Sequence, residues 1–170
     1  MQLEAIVFDA EGVIIDTETV WDEGQRIFLA RRGIEYEREE VKVLLTGRSL
    51  SDGARTLKQL YGIPGEPEEL ARERADIVRE LMSTVDFVPG FEPFYERIRN
   101  EYRTCVATAM ADDLFDIVDR RLGIRRLFDD RVFMLSDVGF RSKPDPALFL
   151  HAATQIETPP TACVVIEDSP

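Results

Sequence analysis

Two carboxylates directly follow a short apolar run near the start of the chain. Residues 5–8 are all apolar, Asp9 and Glu11 come next, and Gly12 lets the chain turn sharply. A strand that is covered on both faces is apolar at every position, so this run predicts a buried strand of a parallel sheet. Ligands of such sheets bind just beyond the carboxyl ends of the strands. Carboxylates there suit a hard cation or a covalent phosphoryl intermediate, although an acidic turn without a function explains this segment equally well.

Polar side chains follow other apolar runs in the same way. Thr108 ends a second run and Ala109 comes after it, so a hydroxyl and backbone N–H groups can face an anion there. Lys143 precedes a predicted helix, and Glu167 and Asp168 end the last run. Such carboxylates, with a hydroxyl and a lysine between them, are what metal-assisted phosphoryl transfer requires. Taken singly, these residues are typical of a turn, a solvated surface and a helix cap, and only their joint occurrence favours a site.

Strands alternate with helices over much of the chain. Apolar runs predict four strands, at 5–8, 104–108, 132–135 and 162–166. Helices are expected over 94–101, over 114–122 and after Asp145, which can cap a helix that Pro146 starts. The alternation predicts an α/β fold with a doubly wound parallel sheet.

A long helical stretch separates the first two predicted strands. It contains apolar residues at helical spacing and no convincing strand. Four helices are predicted, from Thr17 to near Gly33, over 37–45, after a cap at Ser51 or Asp52, and over 70–82. Four inserted helices would form a small bundle of their own. The predicted domains are therefore an α/β core of 1–16 and 86–170 and a helical domain of 17–85.

The composition excludes several classes of function. The formal net charge of the 170 residues is −12, which argues against nucleic acid as a partner. An anionic substrate would need a local cation to offset this charge. No apolar run approaches the roughly 20 residues that span a bilayer, and the N-terminus lacks the pattern of a secretory signal. We therefore expect a cytoplasmic protein without a membrane partner.

The cysteines and the histidine are poor candidates for catalytic residues or metal ligands. Cys105 and Cys163 both lie inside apolar runs, which predicts buried free thiols rather than a disulfide or a metal pair. The one histidine, His151, cannot build a histidine-rich metal site and lies in a predicted helix. The carboxylates at the strand ends remain the candidate metal ligands.

Together these motifs resemble the haloacid dehalogenase superfamily, in its branch of phosphatases and phosphomutases with a small helical cap. The similarity covers essentially the whole chain, with matching motifs at 7–13, 16–18, 108, 142–146 and 165–170. The resemblance implies that Asp9 is a nucleophile that forms an aspartyl-phosphate. It also implies a Mg²⁺ ion held by Asp9, the backbone carbonyl of Glu11, and Asp168, with Glu167 supporting the ion directly or through water.

The resemblance also implies how a substrate would be held. Thr108 and Lys143 would hold the transferring phosphoryl group, and Lys143 would restrain the Asp9 carboxylate. In this family the cap closes over the site and selects the substrate. The candidates for contacting it are Thr17, Trp21, Thr46 and Arg48. An arginine at position 48 would favour a second anionic group on the substrate, whereas the alternative is a surface charge.

The chain departs from the family pattern at two places. Glu11 stands where the phosphatases carry a second aspartate, which acts as general acid and then as general base. The side chain is longer by one methylene, and a misplacement of about 1 Å can cost on the order of a hundredfold in rate. Family members also continue beyond the last motif, whereas this chain ends at Pro170. We therefore expect a truncated chain with an exposed edge at the fourth strand, through which a homodimer could pair.

The leading hypothesis is Mg²⁺-dependent hydrolysis of a small phosphorylated metabolite by a monomer or homodimer. A phosphomutase of the β-phosphoglucomutase type ranks lower, because Trp21 and Leu50 stand where that branch carries histidine and arginine. The true dehalogenases need no magnesium, which fits the Glu167-Asp168 pair less well. The remaining alternative is a catalytically weak binding or regulatory protein, which Glu11 and the short C-terminus favour.

Overall fold

The computed structural model describes residues 2–45, 50–141 and 143–168. The chain divides into two compact units, one of Met1–Thr17 with Thr84–Pro170 and one of Glu18–Ser83. Within the described residues, every strand lies in the first unit, and the second unit contains helices only. No helix in the described part of the chain has both the length and the apolar character needed to cross a membrane.

The helical unit consists of four helices around a core of its own. They are α1 (Thr17–Ala30), α2 (Arg38–Leu45), α3 (Leu50–Tyr61) and α4 (Pro67–Met82). Phe28, Val41 and Leu57 are fully buried in this core. The predicted cap of α3 is wrong, because the helix begins at Leu50 and both candidate residues lie inside it. The Asp52 carboxylate instead accepts a hydrogen bond from Arg55 at 2.8 Å.

Among the described residues of the helical unit, one charged side chain is buried. Arg74 of α4 is 5% exposed and donates hydrogen bonds to the Leu50 carbonyl at 2.8 Å and to Gln25 Oε1 at 3.1 Å. Burial lowers the pKa of Arg74 to about 10. A Cβ on Gly53 would lie 2.5 Å from a nitrogen of this guanidinium. Glycine in the first turn of α3 therefore makes room for the buried arginine.

The first unit, called the α/β unit below, is built on a parallel sheet. Its strands are β1 (Ala5–Phe8), β2 (Arg103–Thr108), β3 (Val132–Met134) and β4 (Cys163–Ile166), in the order β3-β2-β1-β4. All four residues of β1 are buried, as the apolar run predicts. Phe8 is paired with Val106 of β2 and with Ile166 of β4. Asp9 therefore leaves the sheet between the ends of two neighbouring strands.

Helices cover both faces of this sheet. They are α5 (Phe91–Ile98), α6 (Asp112–Leu122), α7 (Ile124–Leu127) and α8 (Ala147–Gln155). Val7 packs in one cluster with Leu148 of α8. Phe8 faces the other way, and its ring lies 6.0 Å from Phe91 and 6.2 Å from Tyr95 of α5. Successive side chains of a strand face opposite ways, and the predicted doubly wound α/β class is confirmed.

Several predicted boundaries in this unit are shifted. Helix α5 begins three residues before its predicted start, because Gly90 adopts a left-handed conformation and ends the preceding loop there. Strand β3 stops at Met134, whose N–H is taken by the Asp137 carboxylate at 2.8 Å. Helix α8 begins after Pro146, while Asp145 accepts the Ala147 N–H at 2.8 Å as a cap.

Strand β4 forms one edge of the described sheet. It pairs with β1 on one side, and Val164 and Val165 are 41% and 38% exposed. Cys105 on the inner strand β2 is buried, whereas Cys163 on β4 is only half-buried. The prediction of a buried thiol is therefore confirmed for Cys105 and wrong for Cys163, because an outer strand leaves its side chains partly uncovered.

Candidate active site

A lysine and two carboxylates meet at the carboxyl end of β1. Asp9 is 4% exposed, and its N–H donates to the Ile166 carbonyl at 2.9 Å, which keeps β1 and β4 paired up to the carboxylate. Lys143 Nζ lies 2.9 Å from Asp9 Oδ2 and 2.8 Å from each Glu167 carboxylate oxygen. The sheet thus brings together three groups that are distant in the sequence.

The charges of this cluster depend on one another. Burial raises the pKa of Asp9 to about 7, although the hydrogen bond and charge of Lys143 act in the opposite direction. Burial also disfavours the charged form of Lys143, but its hydrogen bonds to Glu167 and Asp9 prevail and raise its pKa. The lysine therefore stays protonated at neutral pH. The surroundings of Asp9 disfavour its negatively charged form, even with the lysine beside it.

The carboxylates of this edge fit a hard divalent cation. Asp9, Glu167 and Asp168 each offer an oxygen, and these atoms lie within 4.8 Å of one another. Among the residues that the structure describes, none donates a hydrogen bond to the buried Asp9 Oδ1. A buried oxygen without a partner is costly. A cation bound by oxygen ligands, as Mg²⁺ is, would satisfy it.

Gly12 lets Asp168 approach the turn that follows β1. Gly12 has a φ of +71°, and a Cβ on it would lie 2.1 Å from Asp168 Oδ2. Glu11, beside it, is half-buried, and its backbone pairs with Ile15. The sequence indicates Gly12 only as a turn residue. Its contact with Asp168 depends on the pairing of β1 with β4, for which a single sequence carries no signal.

Thr108 lies at the same edge of the sheet, on the strand next to β1. It is fully buried, and its Oγ1 accepts the Met110 N–H at 3.1 Å. A hydroxyl that accepts in this way still has its own proton to donate. Ala109, the next residue, is exposed. The end of β2 therefore presents a hydroxyl donor beside an accessible backbone segment.

The candidate substrate contacts are distributed differently. Thr17 is buried in the first turn of α1, and Trp21 is half-buried one turn later. Both are on α1. Thr46 and Arg48 lie outside the described residues, as does Ser169 of the last motif.

Comparison with known proteins gives relatives over nearly the whole chain. The chain is 30% identical over 169 residues to a protein of Drosophila melanogaster named "Probable pseudouridine-5'-phosphatase", with 96% of this chain and 73% of the relative covered. It is 28% identical over 165 residues to the fructose-1-phosphate phosphatase YqaB of Escherichia coli (strain K12), with 96% and 86% covered.

A solved structure has the same fold. A HAD-family hydrolase from Deinococcus radiodurans R1, with bound phosphate and sodium, superposes with a TM-score of 0.85 at 25% identity. The match covers 98% of this chain and 73% of that one. The family of haloacid dehalogenase-like hydrolases matches residues 3–170. The resemblance seen in the motifs is therefore confirmed, and the chain belongs to the haloacid dehalogenase-like hydrolases.

Proposed function

We propose that this protein is a Mg²⁺-dependent phosphatase that hydrolyses a small phosphorylated metabolite through an aspartyl-phosphate on Asp9. The observation that carries the proposal is the pair of contacts of Asp9: Lys143 holds Oδ2 at 2.9 Å, while Oδ1 is buried and accepts no hydrogen bond from the described residues. The lysine orients Oδ2, and Oδ1 is left to bind the cation. This arrangement suits a carboxylate that attacks phosphorus.

The reaction would proceed in two balanced steps. In the first, an Asp9 carboxylate oxygen forms a bond to phosphorus as the bond to the leaving oxygen breaks, and Glu11 donates a proton to that oxygen. In the second, Glu11 takes a proton from a water molecule, whose oxygen attacks the phosphoryl group. The bond between phosphorus and Asp9 then breaks, which releases phosphate and restores both carboxyl groups.

The neighbouring groups would hold the phosphoryl oxygens. The Lys143 ammonium and the Thr108 hydroxyl would neutralise and orient them, together with the backbone at Ala109. Asp9, the Glu11 carbonyl, Glu167 and Asp168 would hold the Mg²⁺ ion. When bound, this ion would supply Lewis-acid stabilisation of the charge on the phosphoryl group.

The helical unit would act as a cap that selects the substrate. Its proposed contacts with the substrate are Thr17, Trp21, Thr46 and Arg48. The two relatives described above are named for pseudouridine 5'-phosphate and fructose 1-phosphate, which favours a small phosphorylated sugar derivative as the substrate class. If Arg48 binds a second anionic group, Arg48→Ala should raise the KM only for substrates that carry one. Unchanged KM values for every phosphate ester would exclude this role.

The decisive experiment is phosphate release from p-nitrophenyl phosphate with Mg²⁺ present. We expect turnover that is lost in the Asp9→Asn variant and after removal of metal with a chelator. Turnover that persists in the variant would exclude Asp9 as the nucleophile. Turnover that persists without metal would exclude the Mg²⁺ requirement.

Glu11 favours a second candidate, a binding protein with little turnover. The longer side chain moves the proton donor relative to an aspartate, so Glu11→Asp should increase turnover if the glutamate is a handicap. An equal or lower rate in this variant would show that the site accommodates glutamate. No turnover in either form with any phosphate ester would favour the binding protein.

A further inference from the structure

We propose that Lys143 competes with the divalent cation for Glu167, so that cation binding releases the lysine to the phosphoryl group. The inference rests on the proposed function, in that the site is taken to bind such a cation. Before the cation binds, the ammonium offsets part of the negative charge of the carboxylate cluster. Afterwards, Glu167 turns to the cation, and Lys143 keeps only its contact with Asp9.

The geometry of Glu167 favours such a competition. Both of its carboxylate oxygens lie 2.8 Å from Lys143 Nζ. The carboxylate is 18% exposed and the lysine side chain 30% exposed, so solvent screens their attraction only in part. Yet a Glu167 oxygen also belongs to the set that could bind a metal ion with Asp9 and Asp168. One carboxylate is thus shared by two candidate cations.

The repulsion between these cations also favours competition. An oxygen that bound Mg²⁺ at about 2.1 Å while still accepting from Lys143 would place the two positive centres within roughly 5 Å of each other. At the edge of a protein, repulsion between charges at that distance amounts to several kcal/mol by Coulomb's law. A Glu167 oxygen therefore does not serve both cations at once, and both of its oxygens are on the lysine. Asp9 differs, because Oδ2 contacts Lys143 while Oδ1 is left for the cation.

A static arrangement is the alternative. The cation could bind to Asp9 Oδ1 and Asp168 alone, while Glu167 remains on the lysine. In that case Glu167 would only orient Lys143, and its removal would affect cation affinity equally with or without the lysine. The two arrangements therefore differ in how the effects of Lys143 and Glu167 combine.

The test is calorimetric titration of the metal-free protein with MgCl₂ and no substrate. Competition predicts that Lys143→Met binds Mg²⁺ about tenfold more tightly, because Glu167 no longer has to leave the ammonium. The control is Arg126→Met, which removes one positive charge from an exposed side chain of the same unit and should leave the affinity unchanged. Equal affinities of the Lys143→Met variant and the native protein would overturn the proposal.

A double-mutant cycle separates competition from a general effect of charge. Glu167→Gln should weaken Mg²⁺ binding less than about threefold in the native background, and more than about tenfold in the Lys143→Met background. Equal costs in the two backgrounds would favour the static arrangement and overturn the proposal. Circular dichroism verifies that each variant is folded. If Lys143→Met is not folded, Lys143→Gln takes its place.

The binding measurement is independent of turnover. Tighter Mg²⁺ binding by Lys143→Met in a protein that hydrolyses no ester would support the competition and contradict the proposed function. Hydrolysis by the native protein, together with additive effects of the two substitutions on Mg²⁺ affinity, would support the proposed function and contradict the competition. Loss of Mg²⁺ binding in every form, the native protein included, would overturn both.

Discussion

Each of the two units contains a buried or half-buried cation, and the two are stabilised in opposite ways. Lys143 in the α/β unit lies among carboxylates, and its hydrogen bonds to Glu167 and Asp9 raise its pKa against the effect of burial. Arg74 in the helical unit donates only to neutral oxygens of the described residues, and burial lowers its pKa to about 10.

The different surroundings of these two cations indicate different roles for the two units. The α/β unit concentrates negative charge beyond what its lysine neutralises, which leaves capacity for another cation. In the helical unit, a single charge joins three helices through an amide and a carbonyl. These hydrogen bonds hold the buried Arg74 guanidinium inside the unit, so it is not available to bind a ligand. We therefore expect changes at the first site to alter activity, and changes at the second to alter stability.

The largest expected effect is that of Asp9→Asn on turnover. Loss of the nucleophile should lower kcat by about 10⁴-fold or more. The free energy of unfolding should fall by no more than about 1 kcal/mol, because the variant also avoids the burial of a charged carboxylate. Phosphate release and urea denaturation of the same preparation measure the two effects. A variant that loses stability and activity together would contradict this separation.

Arg74→Met should give the opposite result. The Leu50 carbonyl and Gln25 Oε1 would each lose a donor inside the helical unit, which we expect to cost about 2–3 kcal/mol in the free energy of unfolding. Arg72→Met is the control, since this arginine is exposed on the same helix. Urea denaturation of both variants measures the difference. Equal stability of the two would show that the buried hydrogen bonds contribute little.

Two glycines with nearly the same conformation sharpen the comparison further. Gly12 has a φ of +71° with the Asp168 carboxylate beside it, and Gly33 has a φ of +69° with nothing within 4 Å. Alanine at either position should cost about 1 kcal/mol from the left-handed backbone. Only Gly12→Ala displaces Asp168, so only this variant should lose about tenfold in Mg²⁺ affinity. Titration with MgCl₂ tests this, and equal affinities would contradict it.

The smallest expected effects are changes in stability at alkaline pH, where one weak acid in each unit ionises. Burial raises the pKa of the Cys105 thiol to about 12, and burial followed by the hydrogen bond to Asp22 raises the pKa of Tyr36 to about 12. An acid whose pKa is higher in the folded than in the unfolded state stabilises the folded protein at pH values below the unfolded pKa. This stabilisation is lost as the pH rises through the folded pKa. Stability should therefore fall above pH 9 for Cys105 and above pH 10 for Tyr36.

Two variants separate these contributions. Cys105→Ala should make the decline of the urea midpoint shallower from pH 9 upward, and Tyr36→Phe only from pH 10 upward. Native-like declines in both variants would show that neither group is responsible.

The sequence predicts the sheet better than the ends of the helices. Strand β1 has its predicted bounds because a strand buried on both faces leaves an uninterrupted apolar run. The start of α3 was misplaced, because serine and aspartate are common both at caps and in first turns. Such a boundary depends on tertiary contacts, here those that Leu50 makes with Arg74.

The candidate site could be predicted as a set of residue types at strand ends, since parallel strands end at one edge of the sheet. The contact of Lys143 with Asp9 is one that the resemblance implies, whereas its contact with Glu167 could not be predicted. That Lys143 contacts Glu167 through both oxygens depends on how far a flexible side chain reaches. Arg74 did leave a signal, because it lies four residues after Leu70 on the apolar face of α4. A charge in that position indicates a buried polar contact, although not its partner.

The pairing of β1 with β4 has a consequence for synthesis. The N–H of Asp9 donates to the carbonyl of Ile166, which is among the last described residues to leave the ribosome. At translation rates of about 5–20 residues per second, Asp9 waits several seconds before its neighbours on β4 exist. The acidic cluster is therefore absent from nascent chains that end before β4. We expect the proposed metal site to form only once the sheet has closed around its first strand.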